Sequence, residues 1–130
     1  MIGLDTSAII DLFKGNENVK VFLEQNREGI AVTMMSYLEL FFGLEKKNPK
    51  YEKEGVYYRE FFKRVHVLPL TLESCEDASY LFWSLKKEGK EIEQFDCVIA
   101  AIFLNNGINK IITKNAKHFE RIKKMQILKY

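Results

Sequence analysis

Three acidic residues lie inside otherwise apolar segments of this sequence. Asp5 occurs in MIGLDTSAII, Glu39 in SYLELFFGL and Asp96 in EQFDCVIAAIFL. A carboxylate carried toward a protein core is unfavourable unless a cation or hydrogen-bond donors compensate its charge. If the fold brings the three groups together, each also raises the pKa of the others. Mg²⁺ and Mn²⁺ prefer carboxylate oxygen and water as ligands, so the pattern predicts a metal-dependent phosphoryl-transfer site.

Both aspartates also stand where predicted helices begin. Asp5, Thr6 or Ser7 could cap the first helix, and Asp96 directly precedes an apolar helix predicted to start at Cys97. Capping does not exclude metal binding, because the N-terminus of a helix also favours an anion. Both explanations therefore stay open for each aspartate.

Glu39 is flanked in sequence by large apolar residues. Its neighbours on the helix face, Ser36 and Gly43, are small and leave space for an ion, a substrate phosphate or another chain segment. The alternative is a partly buried glutamate that is bonded to a hydroxyl or a backbone N–H. Glu93 lies three residues before Asp96 and is a reserve ligand, with a solvated side chain as its alternative.

The elements that must position these acids are short apolar strands alternating with longer segments of helical period. Strands are predicted at residues 1–4, 30–33, 65–70 and 110–113, with a weaker fifth at 126–128. Helices are predicted at residues 7–14, 18–28, 36–46, 51–64, 72–88 and 97–106. Such strands suit a parallel sheet covered on both faces, so the predicted fold is a three-layer α/β/α sandwich with four to five strands. Ligands bind such sheets at the carboxyl ends of the strands, where Asp5 stands.

The composition favours a single domain over residues 1–130, with 47% hydrophobic residues and 20 basic against 18 acidic side chains. The two cysteines and two histidines have no zinc-ligand spacing, and the cysteines indicate no disulfide framework. The sequence begins MIGLD and contains no stretch of membrane-spanning length, so we expect a cytoplasmic protein with no membrane partner.

Basic residues dominate the C-terminal part of the chain. From residue 110 onward only Glu120 opposes the following basic residues: Lys110, Lys114, Lys117, Arg121, Lys123, Lys124 and Lys129. A segment of this charge can lie along a polyanion and offset the repulsion between an acidic centre and phosphate. The alternative is a solvated helix face.

Four sequence features, taken together and in order, resemble the PIN domain family over most of the chain. They are Asp5-Thr6-Ser7 after the opening strand, Glu39 in SYLELFFG, Asp96 in DxxIAA, and Thr113-Lys114-Asn115 ahead of His118-Phe119. The resemblance is greatest to the small VapC-type toxins, which are single PIN domains paired with a VapB-type antitoxin.

The resemblance implies an endoribonuclease that hydrolyses RNA with Mg²⁺ or Mn²⁺, acts as the toxin of a type II toxin–antitoxin pair and forms a homodimer. Asp5 and Asp96 would hold the metal, while Glu39 would bind it through water or orient the attacking water. Thr6 and Thr113 would support the site through their hydroxyls. No histidine pair is needed, because the metal generates the nucleophile from water.

The sequence departs from the family pattern at Asn115, where many members carry an acid. Asparagine offers a carbonyl oxygen but no charge, so we expect one tightly held metal and a weaker second one. The departure also leaves open a catalytically silent PIN-like module that binds RNA or protein. For the ribonuclease, the expected target is single-stranded or looped RNA, with Lys114, Lys117 and Arg121 holding phosphates that flank the site.

Two helical segments carry more aromatic residues than one core needs. The first spans residues 51–64, and the second contains Tyr80, Phe82 and Trp83. Most of these side chains are expected in the core, and the remainder in a self-association face or a groove for a partner helix.

Overall fold

A computed structural model describes residues 1–130 and contains one sheet of five strands. These are β1 (Ile2–Leu4), β2 (Ile30–Thr33), β3 (His66–Leu68), β4 (Lys110–Ile112) and β5 (Gln126–Leu128). The strand order is β3-β2-β1-β4-β5, and every neighbouring pair is parallel. The predicted parallel sheet is therefore confirmed, including its weak fifth strand.

Seven helices connect and cover the strands. They are α1 (Thr6–Phe13), α2 (Glu17–Gln25), α3 (Met34–Phe42), α4 (Lys50–Arg64), α5 (Leu72–Lys87), α6 (Gln94–Asn105) and α7 (Ala116–Phe119). Helix α7 was not predicted. The expected start of α6 was wrong, because Glu93 takes the extended backbone of an N-cap and Asp96 lies within the first turn. None of the seven helices combines the length and apolar character that a membrane-spanning segment requires.

The sheet separates two apolar layers. Consecutive residues of β4 face opposite ways, so that Ile111 packs in a core with α5, α6 and α7, while Ile112 packs in a core with α1, α3 and α4. Ala31 and Val32 of β2 alternate in the same manner. This alternation produces the predicted three-layer α/β/α sandwich.

The chain reverses its direction of travel across the sheet between β1 and β4. Strands β2 and β3 lie on one side of β1, whereas β4 and β5 lie on the other. In an open parallel sheet, this switch point leaves a crevice at the carboxyl ends of the two central strands. Asp5 and Thr113, the residues that follow β1 and β4, lie there together.

Gly3 allows α6 to pack closely against β1. A Cβ atom at Gly3 would lie 2.6–2.8 Å from three ring carbons of Phe103, which is itself fully buried. The absence of a side chain in β1 therefore sets the distance between the central strand and the helix that carries Asp96.

Gly3→Ala is expected to destabilise the protein by about 1–3 kcal/mol, because a buried ring has to move to admit the methyl group. Urea unfolding monitored by circular dichroism measures the change. Gly55→Ala in α4 is the matched control, since its Cβ would meet Arg59 and Phe41 no closer than 3.5 Å. There, alanine is expected to be neutral or to stabilise the helix by about 0.5–1 kcal/mol. Equal effects of the two substitutions would contradict the packing argument.

Candidate active site

Asp5 is the most deeply buried acid of the site, with 1% of its surface exposed. Its Oδ1 accepts hydrogen bonds from the Ala8 amide at 3.0 Å and the Ser7 hydroxyl at 2.8 Å, so Asp5 does cap α1. Its Oδ2 accepts a 2.6 Å bond from Thr113 Oγ1. Capping thus uses one carboxylate oxygen and leaves the other directed toward the end of β4.

The pKa of Asp5 is raised to about 6, mainly by burial and to a smaller extent by the negative charge of Asp96. The three hydrogen bonds from Thr113, Ala8 and Ser7 act in the opposite direction, because they favour the ionised form. Hydrogen-bond donors therefore hold the Asp5 carboxylate in place, but no positively charged group compensates its charge.

Thr113 and Ser7 join the ends of β1 and β4. The Thr113 hydroxyl, which is 3% exposed, accepts a bond from the Asn115 amide at 2.9 Å while it donates to Asp5. Ser7 Oγ lies 3.3 Å from Thr113 Oγ1 and accepts from the Lys114 amide at 3.0 Å. The loop after β4 is thus fixed by the same hydroxyls that orient Asp5.

Glu39 reaches the site because α3 begins directly after β2. Thr33, the last residue of β2, caps α3 by accepting from the Ser36 amide at 3.1 Å. The Glu39 carboxylate then accepts a 2.8 Å bond from Thr6 Oγ1, which also lies 3.0 Å from Ser36 Oγ. The space expected beside Glu39 is therefore occupied in part by two hydroxyls, and the side chain remains half-buried.

Asp96 projects from the first turn of α6 and is 6% exposed. Its Oδ2 lies 2.8 Å from Nδ1 of His118 on α7. His118 is half-exposed, so its imidazole lies between a buried carboxylate and solvent. No local sequence signal pairs these two residues, which are separated by 22 positions.

The acids are close enough to influence one another electrostatically. Burial raises the pKa of Glu39, the bond from Thr6 lowers it, and the charges of Asp96, Glu93 and Asp5 each raise it. Glu93 is exposed at the N-cap of α6 and makes no capping hydrogen bond with its side chain. The structure therefore brings Asp5, Glu39 and Asp96 to one acidic region, with Glu93 at its edge.

The donor chemistry of this region fits a hard divalent cation, since every charged group in it is a carboxylate. No three His, Cys, Asp or Glu side chains, however, lie in positions to coordinate a single ion together. The roles implied by the family resemblance, with Asp5 and Asp96 as direct ligands and Glu39 acting through water, therefore stay predictions.

The basic residues expected to hold phosphate divide between two places. Lys114 and Lys117 line a pocket beside Thr113, together with Asn115. Arg121 does not line that pocket, because its Nη1 donates to the Glu91 carbonyl at 2.6 Å. Its predicted role in phosphate binding stays a prediction.

Comparison with known proteins places this arrangement in a family. The sequence profile described as the PIN domain matches residues 2–125. The chain belongs to the PIN domain family. The resemblance inferred from the motifs is therefore confirmed.

Individual PIN domain proteins resemble the chain over nearly its whole length. Ribonuclease VapC1 of Methanocaldococcus jannaschii is 31% identical over 127 residues, which are 98% of this chain and 85% of that protein. The structure of VapBC-1 from nontypeable Haemophilus influenzae has a TM-score of 0.80 at 29% identity, covering 99% of this chain and 98% of the other. The DNA-bound VapBC2 structure from Rickettsia felis has a TM-score of 0.85 at 22% identity, covering 100% and 99%.

Two side chains that shape this PIN domain site were not predicted from the sequence. Ser7 was considered only as a cap, although it also contacts Asp5 and the Lys114 amide. His118 was treated as an isolated histidine, although it contacts Asp96. The available signal was that Ser7 belongs to the Asp5-Thr6-Ser7 motif and His118 to the His118-Phe119 motif.

Asp5→Asn is expected to stabilise the metal-free protein by about 1–3 kcal/mol at neutral pH, because it removes a buried charge and keeps an oxygen acceptor. The raised pKa means that the folded wild type binds a proton more tightly than the unfolded chain. The cost of ionised Asp5 is therefore fully present above about pH 6 and is lost below about pH 4.

Urea unfolding in EDTA, at neutral pH and at about pH 4, measures this difference between the variant and the wild type. Glu24→Gln on the exposed surface of α2 is the control and should show no gain at either pH. A variant less stable than the wild type at neutral pH would mean that the lost ionic hydrogen bonds outweigh the relief of burial.

Proposed function

We propose that this chain is an endoribonuclease that hydrolyses RNA phosphodiester bonds with Mg²⁺ or Mn²⁺, and that it is the toxin of a type II toxin–antitoxin pair. The observation that carries the proposal is the buried Asp5 carboxylate, held at the switch point by Thr113 and surrounded by two further acids. The name of the M. jannaschii relative, Ribonuclease VapC1, supports RNA as the substrate.

The residues of the chain supply orientation and negative charge. Asp5 and Asp96 would hold the ion, each with one carboxylate oxygen fixed by Thr113 and His118 respectively. When bound, the ion lowers the pKa of a coordinated water and neutralises charge on the phosphate oxygens. Because both carboxylates are fixed before substrate arrives, little reorganisation is needed during the reaction.

Glu39 has a separate task. Its Oε1 accepts from Thr6, which orients the carboxylate, and its raised pKa reflects a group partly removed from water. A carboxylate in this position accepts a hydrogen bond from the attacking water and directs it in line with the scissile phosphorus. The leaving group would be a 3′ hydroxyl, and the reaction requires no attack by the 2′ hydroxyl.

The proposed partners, a VapB-type antitoxin and a second copy of the chain, find support in two exposed apolar stripes. Helix α3 exposes Met34, Leu38 and Phe42 at successive turns, and α5 exposes Tyr80 and Trp83. Large apolar side chains along one helix face commonly bind a protein partner. The similar VapBC structures from Rickettsia felis and Haemophilus influenzae support an assembly of this kind. The aromatic surplus expected from the sequence thus lies partly on the surface, while Tyr58 and Phe62 of α4 are in the core.

Cleavage of single-stranded RNA by the purified chain is expected to require Mg²⁺ or Mn²⁺ and to stop in EDTA. Asp5→Asn and Asp96→Asn should each lower the rate by at least about a hundredfold, because each removes a charge that holds the ion. Gel analysis of a labelled oligonucleotide measures the rate, and far-UV circular dichroism establishes that the variants fold.

Glu24→Gln is the matched control for loss of one acid, since this residue lies on the exposed surface of α2. Its rate should equal that of the wild type. Full activity in EDTA, or full activity of Asp5→Asn, would refute the metal-dependent mechanism.

A catalytically silent module that binds RNA or protein is the second candidate, and Asn115 is the observation that favours it. Asn115 is exposed at the N-cap of α7 and makes no capping hydrogen bond with its side chain. The side chain therefore places neither charge nor a fixed oxygen beside Thr113. RNA binding that persists in Asp5→Asn, with no metal-dependent product at any protein concentration, would favour this module.

Asn115→Asp is expected to raise Mn²⁺ affinity by about tenfold, because a fourth carboxylate adds negative charge to the region. Isothermal titration calorimetry measures the change. Asn109→Asp, one residue before β4, provides a control for the added charge. An unchanged or weaker affinity of Asn115→Asp would place this residue outside the metal site.

A further inference from the structure

An open pocket of about 560 Å³ lies beside the acidic region. The turn after β4, helix α7 and the residues after β5 form its walls. The side chains that matter below are Thr113, Lys114, Asn115, Lys117, Lys129 and Tyr130. Since Thr113 both lines this pocket and donates to Asp5, a molecule bound here would be next to the site of chemistry.

The pocket carries an excess of positive charge. Three lysines and a single acid, Glu120, contribute to its lining. Glu120 is paired with Lys129 at 3.4 Å, and Lys117 has no ion-pair partner. Such an arrangement attracts phosphate next to an acidic region that would otherwise repel it.

Tyr130 gives the pocket an aromatic wall that is held in place. Its hydroxyl donates a 2.7 Å hydrogen bond to Oδ2 of Asp11, which is on α1 and only 7% exposed. The other oxygen of Asp11 lies 3.9 Å from Nζ of Lys114. The ring also packs against the core beneath α1 while it lines the pocket. Asp11 therefore fixes both an aromatic ring and a lysine of the pocket wall.

We propose that this pocket is a nucleotide subsite, in which the base of a residue flanking the scissile phosphate stacks on Tyr130 and its phosphate is held by Lys117 and Lys129. This inference rests on the proposed ribonuclease function. An anchored aromatic ring beside lysines is the combination that binds single-stranded nucleic acid, because every base has a face to stack and every linkage has a charge. The pocket volume is within the ~300–1,000 Å³ that small-molecule sites occupy.

The test measures RNA binding in the absence of cleavage, using the full-length Asp5→Asn protein in EDTA and a fluorescently labelled single-stranded RNA. In this background, Tyr130→Phe keeps the ring and Tyr130→Leu replaces it with a side chain that still packs against the core. We expect anisotropy titrations to show about a tenfold loss of affinity for the leucine variant and a smaller loss for phenylalanine, which keeps the ring but not its hydrogen bond to Asp11.

A set of oligonucleotides, each with one abasic position, tests the stacking contact directly. At one position the missing base should weaken binding to the parent protein and leave binding to Tyr130→Leu unchanged, as a double-mutant cycle requires for two groups in contact. If the leucine variant binds every oligonucleotide as the parent does, or if no abasic position removes the difference, the stacking proposal is overturned.

The phosphate contacts are tested through salt dependence. Lys117→Ala and Lys129→Ala should each reduce the slope of log Kd against log salt concentration by about 0.7, the value for one phosphate contact on a single strand. Lys20→Ala on the exposed surface of α2 should leave the slope unchanged. Equal slopes for all three variants would overturn the phosphate part of the proposal.

The proposed ribonuclease activity and the proposed nucleotide subsite can be refuted separately. A wild-type protein that never cleaves RNA but binds it through Tyr130 would refute the ribonuclease and keep the subsite. A wild-type protein that cleaves RNA in a metal-dependent manner, while Tyr130→Leu binds RNA normally, would refute the subsite alone. Thermal melting detects any unfolding caused by Tyr130→Leu. If that variant unfolds, the salt dependence measured for the lysine variants decides whether RNA occupies the pocket.

Discussion

This fold has to hold a carboxylate at a position that water hardly reaches. Asp5 follows the central strand, is almost fully buried and has a pKa raised to about 6. Three donors hold it, but none carries a positive charge. A buried anion of this kind is tolerated when other interactions of the fold supply enough stability. The anion strongly attracts any cation that enters. The hydroxyl network of the site is best understood as a cradle for this one group.

The parallel sheet makes that arrangement available. Its strand order places the ends of β1 and β4 side by side, so that Thr113 can reach Asp5 across 108 positions of sequence. The end of β2 is adjacent on the other side, and the cap formed by Thr33 starts α3 in the direction that brings Glu39 to Thr6. Short polar side chains at strand ends thus perform two tasks: they begin helices and they orient acids.

The strands, the parallel three-layer fold and the acids that approach one another were predictable from the sequence. The spacing of apolar residues, and single acids within apolar segments, are signals that short stretches of sequence carry. It did not predict α7, since four residues carry less than two turns of periodicity. It placed the start of α6 three residues late, because Glu93 and Gln94 are polar and obscure the apolar pattern. Contacts between residues that are distant in sequence, such as His118 with Asp96, depend on how α7 packs on α6. Local sequence patterns do not encode that packing.

The positions of the basic residues illustrate the same limit. Lys114, Lys117 and Arg121 were expected at one surface because they are neighbours in sequence and alike in charge. The short α7 and the turns after it direct Arg121 toward the Glu91 carbonyl, while the chain beyond β5 brings Lys129 to the pocket instead. Charge composition was therefore informative about the segment, and tertiary structure determined which members of it face the site.

The close contact between Gly3 and Phe103 has a consequence for ion selectivity. Asp5 follows Gly3 by two residues, and Asp96 precedes Phe103 by two turns along α6, so this contact helps to fix the backbone positions of both acids relative to each other. Cations differ in radius by a few tenths of an ångström, a difference as small as a modest adjustment of that contact. In the proposed metal site, the discrimination between one metal and another would then be partly a property of the hydrophobic interior, at a point that no solvent or substrate touches.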